Sequence, residues 1–149
     1  MSRSINLAVY HCSANREGTL KGKDANYLDR VAKNRGFRKI SYHIVYLPDG
    51  TREYGRDIWD IGAHAKGYNR NSIGLVYIGG LDANGDAKDT RTPEQRKAMQ
   101  EDQKTLAYLY PGIKFVGHRD LSVDLNGDGI ISRNEWMKEC PCFDVATEM

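Results

Sequence analysis

A nearly continuous apolar run at residues 72–79 constrains the fold of this chain more than any other stretch. Such a run is typical of a strand in the interior of a sheet, where both faces are covered. Strand composition recurs in four other runs, at residues 5–10, 40–47, 51–56 and 114–117. The turn Pro48-Asp49-Gly50 makes residues 51–56 a hairpin partner of residues 40–47. Within residues 40–47, alternation predicts Tyr42, Ile44 and Tyr46 on one face.

Two helices are indicated by their starting residues. Asp24 can cap a helix that continues through Ala32, with Gly36 at its stop position. Thr92-Pro93-Glu94-Gln95 combines an N-cap, a first-turn proline and a capping-box glutamine, and predicts a helix to about Tyr110. We therefore expect one α/β (α+β) domain over residues 1–149, with a central mixed sheet of about five strands flanked by helices.

Composition narrows the classes of function. The net charge of +2 is too small to favour nucleic-acid binding, and no apolar run approaches the length of a membrane span. The first six residues lack the apolar segment of a secretory signal. We therefore expect a monomer made in the cytoplasm that binds neither nucleic acid nor membrane.

Three possible zinc ligands are scattered along the chain. His11 follows the first strand run, His118 follows the last, and Cys140 lies near the C-terminus. Two imidazoles and one thiolate match the ligand count of a catalytic zinc ion, which lowers the pKa of its bound water to roughly 7 and polarises carbonyl groups. On spacing alone this trio is a weak signal, and His11 could equally be a packed or solvent-facing histidine. The three cysteines are too few for a disulfide framework.

A second metal site is indicated between His118 and Cys140. Residues 124–135 match the EF-hand calcium loop at its diagnostic positions. Its expected calcium ligands are Asp124, Asn126, Asp128, the backbone carbonyl of Ile130, and Glu135, with Gly129 at the sharp turn. The alternative is a polar, turn-rich loop without metal. A calcium ion here would be a structural clip on the segment that leads to Cys140.

Several short motifs together resemble one enzyme family. They are His11-Cys12-Ser13-Ala14, Tyr42-His43, Asp49-Gly50-Thr51, Gly55-Arg56-Asp57, His64-Ala65-Lys66-Gly67-Tyr68-Asn69, Asn71-Ser72-Ile73-Gly74, Gly79-Gly80, Thr92-Pro93, Gly117-His118, and Cys140-Pro141 with Phe143-Asp144. In this order they resemble the zinc-dependent N-acetylmuramoyl-L-alanine amidases, the type that includes phage lysozymes and peptidoglycan recognition proteins. The resemblance covers about residues 5–146, and the block from Ala63 to Gly74 is its most specific part.

The resemblance implies roles for individual residues. It implies zinc bound by His11, His118 and Cys140, with Tyr42 and Lys138 as catalytic residues. It also places His64, Ala65 and Asn71 at the substrate cleft. From the residues alone, Tyr42 could be a core aromatic, Lys138 a solvated lysine, and His64 a structural hydrogen-bonding group. Cys12 and Cys142 could be thiols near the metal, small buried residues or a disulfide pair.

The function implied is hydrolysis of bacterial peptidoglycan. The enzyme would cleave the amide between the lactyl group of N-acetylmuramic acid and L-alanine, as a phage or prophage endolysin that reaches the wall after release from the cell. The alternative is a non-catalytic muropeptide-binding module. Recognition members of the family lose the zinc cysteine, so Cys140 favours the enzyme.

Overall fold

The computed structural model of this protein describes residues 3–122 and 140–149. Its main sheet has five strands, which confirms the predicted mixed architecture. They are β1 (Leu7–Cys12), β3 (Ile44–Tyr46), β4 (Arg52–Tyr54), β5 (Ser72–Tyr77) and β7 (Lys114–Gly117), in the spatial order β4-β3-β5-β1-β7. Only the β3–β4 pair is antiparallel, and the other three pairs are parallel. The apolar strand β5 therefore lies in the middle of the sheet, as its composition predicts.

The helices lie on opposite faces of this sheet. Helix α2 (Pro93–Leu109) contributes Ala98, Met99 and Leu106 to one hydrophobic cluster, while α1 (Ala25–Asn34) contributes Leu28 to the other. The strands supply alternate residues to each side: Leu75 and Tyr77 belong to the α2 cluster, and Val76 to the α1 cluster. His11 pairs with Val76 in the β1–β5 register and so faces the α1 side.

Both helices begin where the sequence predicts. The Asp24 side chain accepts a hydrogen bond from the Tyr27 N–H. At the start of α2, Thr92 Oγ1 accepts from the Gln95 N–H while Gln95 Oε1 accepts from the Thr92 N–H, completing the capping box. These local hydrogen bonds satisfy N–H groups that have no partner within the helix.

One expectation about the strands is wrong, and one small sheet was missed. Strand β3 begins only at Ile44, and Tyr42 packs against the α1 cluster, whereas Ile44 and Tyr46 pack on the α2 side. Strict alternation fails because Tyr42 precedes the regular strand. A second sheet, formed by β2 (Asn15–Arg16) and β6 (Gly80–Leu81), was not predicted from either short polar or glycine-containing segment.

The C-terminal segment returns to the sheet and carries Cys140 with it. The Tyr77 hydroxyl donates to the carbonyl of Pro141 at 2.7 Å, and Phe143 is buried in the α2 cluster. Arg91 lies over the Phe143 ring, 3.4 Å from its centroid. The segment ends in a short helix, α3 (Val145–Glu148). The predicted calcium loop at residues 124–135 and the predicted catalytic Lys138 lie outside the described residues.

Candidate metal centre and catalytic cleft

Three side chains from distant parts of the chain meet at one edge of the sheet. His11 lies near the end of β1, His118 follows β7 directly, and Cys140 opens the C-terminal segment. Because β1 and β7 are parallel, their C-terminal ends reach the same edge. The three ligand atoms lie within 4.8 Å of one another, and His11 Nδ1 is 3.8 Å from Cys140 Sγ. The predicted trio is therefore brought together.

Cys140 is held from two sides by backbone hydrogen bonds. The Cys12 N–H donates to Cys140 Sγ at 3.1 Å, and the Arg119 N–H donates to the Cys140 carbonyl at 2.9 Å. The first bond fixes the position of the sulfur beside the end of β1. The second ties Cys140 to the turn that carries His118.

The other two cysteines lie beside this centre as thiols. Cys12 Sγ and Cys142 Sγ are 3.8 Å apart, and Cys142 Sγ also contacts the Gly80 carbonyl at 3.3 Å. Hydrogen bonding to Cys140 is the largest cause of a Cys12 pKa raised to about 12, and burial adds to it. Of the three cysteines, Cys140 is the one whose sulfur lies in a group with the ring nitrogens of His11 and His118.

A chain of hydrogen bonds leads from His11 into the sheet. His11 Nε2 lies 2.9 Å from His64 Nδ1, and His64 Nε2 lies 3.2 Å from Ser72 Oγ. All three residues are buried. Burial, followed by the charges of His43 and His118, lowers the pKa of His64 to about 3, so its ring is neutral at neutral pH.

Tyr42 packs against His11, one of the three candidate metal ligands. Its ring centroid is 5.1 Å from that of His11 in an edge-on contact. Burial, and next the neighbouring Cys140, raise the pKa of the Tyr42 phenol well above its usual value. The hydroxyl therefore remains a hydrogen-bond donor at any physiological pH.

These residues line a cleft of about 840 Å³, large enough for an extended ligand. His11, His118, Cys140, Tyr42 and His64 all contribute to its wall. The rest of the wall includes Arg35 and Phe37 after α1, and Lys66, Tyr68 and Asn69 from the glycine-containing loop.

Two further residues were predicted to contact substrate, and one of them lines the cleft. Ala65 lines the cleft. Asn71 does not, because its side-chain amide donates to the Ser4 carbonyl at 2.7 Å. Asn69, which sequence reasoning did not single out, accepts from the backbone N–H groups of His64 and Ala65, both at 2.9 Å. An asparagine in a polar, glycine-containing loop is the signal that could have suggested this turn.

The donor set fits zinc. Imidazole nitrogen and cysteine thiolate are both ordinary zinc ligands, and a catalytic site has three protein ligands with a fourth position open to water or substrate. Here the three donors open onto a cleft that also holds a protonated phenol. Across residues 3–122 and 140–149, no helix combines the length and apolar character of a membrane span. Fold and site together define an α/β protein with a candidate hydrolytic zinc centre.

Comparison with known proteins assigns the family. The family model described as N-acetylmuramoyl-L-alanine amidase matches residues 1–142, and the chain belongs to this family. It is 33% identical over 144 residues to an endolysin of Enterobacteria phage T3, covering 96% of this chain and 85% of the relative. It is also 45% identical over 97 residues to an uncharacterized protein of Haemophilus influenzae, covering 65% of this chain and 84% of that one.

Solved structures share the fold. The amidase LysC from Clostridium intestinale superposes with a TM-score of 0.72 at 22% identity, covering 95% of this chain and 79% of LysC. The Drosophila peptidoglycan recognition protein LB gives a TM-score of 0.68 at 21% identity, covering 95% and 76%. The predicted fold class is confirmed by both.

Proposed function

We propose that this amidase uses zinc, bound by His11, His118 and Cys140, to cleave the amide between the lactyl group of N-acetylmuramic acid and L-alanine. The observation that carries the proposal is the convergence of the three donors at the floor of the cleft. These three residues are far apart in the sequence, so it is the fold that brings them together. The family assignment supplies the substrate class.

We further propose that the protein acts as an endolysin. Its relatives from phages T3 and T7 carry that name, and each is 33% identical over at least 95% of this chain. An enzyme of this kind is made in the cytoplasm and meets peptidoglycan after release. That the chain is a monomer remains a prediction.

The chain's own residues supply binding, orientation and proton donation. When bound, zinc provides Lewis acidity and activates water at neutral pH. The Tyr42 hydroxyl donates a hydrogen bond to the oxygen that becomes negative as the amide carbonyl is attacked, and so stabilises the transition state. Ala65 and the adjoining loop form the wall along which the stem peptide lies. The family resemblance implies that Lys138, which lies outside the described residues, supplies positive charge to the same step.

Calcium belongs to the proposal on sequence grounds only. The oxygen-bearing residues of the 124–135 segment keep the EF-hand spacing. We propose a structural role, because the segment lies between two proposed zinc ligands in the sequence. A single calcium loop is better interpreted as a structural clip than as a sensor that opens a groove.

The direct test incubates purified peptidoglycan with the protein and measures newly exposed L-alanine amino termini. We expect them to appear with zinc-loaded protein and to be lost with a chelator. Cys140→Ala should lose zinc and activity together, while the matched Cys142→Ala should keep roughly one zinc. The reverse pattern would show that the ligand assignment is wrong.

Binding of peptidoglycan without new amino termini would instead support the muropeptide-binding alternative. That alternative draws on a 35% identity over 94 residues to the Drosophila recognition protein LB. The presence of Cys140 beside both histidines favours catalysis.

The Tyr42 hydroxyl has its own test. We expect Tyr42→Phe to lower kcat by about 10²–10³-fold, the usual cost of removing one transition-state donor, because the ring and its packing remain. The measurement is turnover of peptidoglycan by zinc-loaded protein, with the metal content checked in parallel. Unchanged turnover would remove Tyr42 from the chemistry.

A further inference from the structure

The His64 ring connects a metal ligand to the interior of the sheet. One ring nitrogen, Nδ1, lies 2.9 Å from His11 Nε2, and the other, Nε2, lies 3.2 Å from Ser72 Oγ. His64 is 7% exposed, His11 1% and Ser72 0%. Both nitrogens of His64 are therefore engaged inside the protein, although one edge of the ring reaches the cleft wall.

Two glycines hold the ring in place. A Cβ atom at Gly74 would lie 2.6 Å from His64 Cδ2 and Cγ, and one at Gly62 would lie 2.6 Å from Cδ2. Contacts this short do not occur between real Cβ atoms and a packed ring, so only glycine leaves room on both sides. Asn69 fixes the backbone of the same loop by accepting from the His64 N–H. The ring thus has one tightly defined position.

The orientation of the His11 ring sets the direction of the hydrogen bonds that connect His11, His64 and Ser72. Its Nδ1 points towards Cys140 Sγ, at 3.8 Å, and is the atom available to a metal. A neutral imidazole that offers the lone pair of Nδ1 carries its proton on Nε2. In that tautomer the His11 Nε2–H donates to His64 Nδ1, which leaves the His64 proton on Nε2 to donate to Ser72 Oγ.

We propose that His64 is a positioning residue: it accepts the hydrogen bond of His11 Nε2–H and fixes the tautomer and ring orientation in which His11 meets zinc. The inference rests on the proposed zinc function. Metal-binding histidines commonly donate their second ring N–H to such an acceptor, and loss of the acceptor costs about 10–100-fold in metal affinity. His64 thereby acts through His11, and its two engaged nitrogens leave none for a substrate.

Two substitutions separate the acceptor from the rest of the ring. In His64→Asn, Oδ1 can occupy the place of Nδ1 and accept from His11. In His64→Gln, the side-chain nitrogen reaches towards Ser72, but no acceptor remains at the Nδ1 position. Zinc is titrated into metal-free wild type and both variants against a competing chelator, and the dissociation constant is measured.

We expect His64→Gln to weaken zinc binding by about 10–100-fold and His64→Asn to remain within a few-fold of wild type. The Lys66→Ala variant changes the same loop outside the His11–His64–Ser72 hydrogen bonds, and its zinc affinity should equal that of wild type. Equal affinities for Gln and Asn variants, whether both normal or both weak, would overturn the proposal.

An independent measurement needs no variant. Long-range ¹H–¹⁵N spectra of the wild-type imidazoles should show both His11 and His64 as Nε2–H tautomers in the zinc-loaded protein. A proton on His64 Nδ1 would overturn the proposed direction of the chain.

Failure of the zinc function would look different. A wild type that binds no zinc would remove the proposed function and this inference together. A wild type that binds zinc, with a Gln variant that binds it equally well, would remove this inference alone. If His64 contacts substrate instead, His64→Asn at saturating zinc would raise KM for peptidoglycan while zinc affinity stays normal.

Discussion

His43 is a buried histidine whose surroundings hold it neutral. It is 1% exposed, its Nδ1 accepts from the Gly74 N–H at 2.9 Å, and its Nε2 lies 2.8 Å from the Asp60 carbonyl. Burial is the main cause that lowers its pKa to about 4, and the charges of Arg3 and Arg56 add to the effect. A second ring proton would face the Gly74 N–H, donor against donor.

This residue makes stability depend on pH. Between pH 6.5 and about 4 the unfolded chain binds a proton at His43 that the folded protein does not, so the free energy of unfolding falls as pH falls. We expect His43 to contribute about 1.4 kcal/mol per pH unit in this window. Urea unfolding at several pH values measures it. His43→Asn, which keeps an acceptor for Gly74, should show a correspondingly shallower slope, and an equal slope would contradict the assignment.

At the residue scale, sequence reasoning identified the metal trio but not its supports. The sequence was enough to name His11, His118 and Cys140, because their residue types and the short motifs around them are visible without the structure. The hydrogen bond from His64 to His11, and the Cys12 N–H that donates to Cys140, depend on how strands and loops fold together. No local pattern in the chain encodes such contacts.

Among the structural elements, the C-terminal segment depends on one buried arginine. Arg91 is 1% exposed in its side chain, forms two hydrogen bonds with Asp89 at 2.9 and 3.0 Å, and stacks on Phe143. It also donates to Met149 Sδ at 3.2 Å. Arg91 therefore ties the loop before α2 to the segment that begins at Cys140.

We expect Arg91→Met to lower the free energy of unfolding by about 3 kcal/mol, because it removes a buried guanidinium and leaves the partly buried Asp89 carboxylate with Arg96 as its remaining ion-pair partner. The matched control is Arg96→Ala. Arg96 also pairs with Asp89, at 2.9 Å, but is 40% exposed, so its loss should cost at most about 1 kcal/mol. Chemical denaturation gives both values, and equal losses would contradict the role of Arg91 as the anchor.

The calcium prediction concerns the segment at residues 124–135. An ion that binds only the native state stabilises it by about 2.7 kcal/mol at a hundredfold excess over its dissociation constant. We expect calcium to raise the Tm of the zinc-loaded wild type. The Tm values of the Asp124→Ala and Asp128→Ala variants should not change on adding calcium. Zinc retention should rise with it. The same Tm response in all three proteins would return this segment to an ordinary polar loop.

Elements with local signals were the predictable ones. The Thr92–Gln95 capping box and the Asp24 cap each lie within a few residues, and both form as expected. The side on which Tyr42 packs was mispredicted, because alternation holds only once β3 begins at Ile44. The β2–β6 sheet was missed because its strands gain their pairing from each other across 65 positions of sequence, as Asn15 pairs with Gly80.

For the whole molecule, the candidate metal centre brings together residues from near both ends of the described chain. We expect zinc removal to lower the free energy of unfolding by about 4.1 kcal/mol at a thousandfold excess of zinc over its dissociation constant. For a domain of this size that corresponds to a fall in Tm of about 8–16 °C. Thermal unfolding with chelator, and after zinc is restored, measures the change. Cys140→Ala should show no response to zinc; a normal response would contradict the ligand set.

The position of β1 has a consequence for folding during synthesis. β1 precedes both of its partner strands in the sequence, because Leu7 pairs with Ser72 on one side and Lys114 on the other. Until those partners leave the ribosome, an apolar strand has two open edges, the feature that most favours intermolecular pairing. We therefore expect folding to be dominated by non-local contacts and to be completed only after both partner strands have been synthesised. Keeping the unpaired β1 from other chains should then raise the yield of folded enzyme.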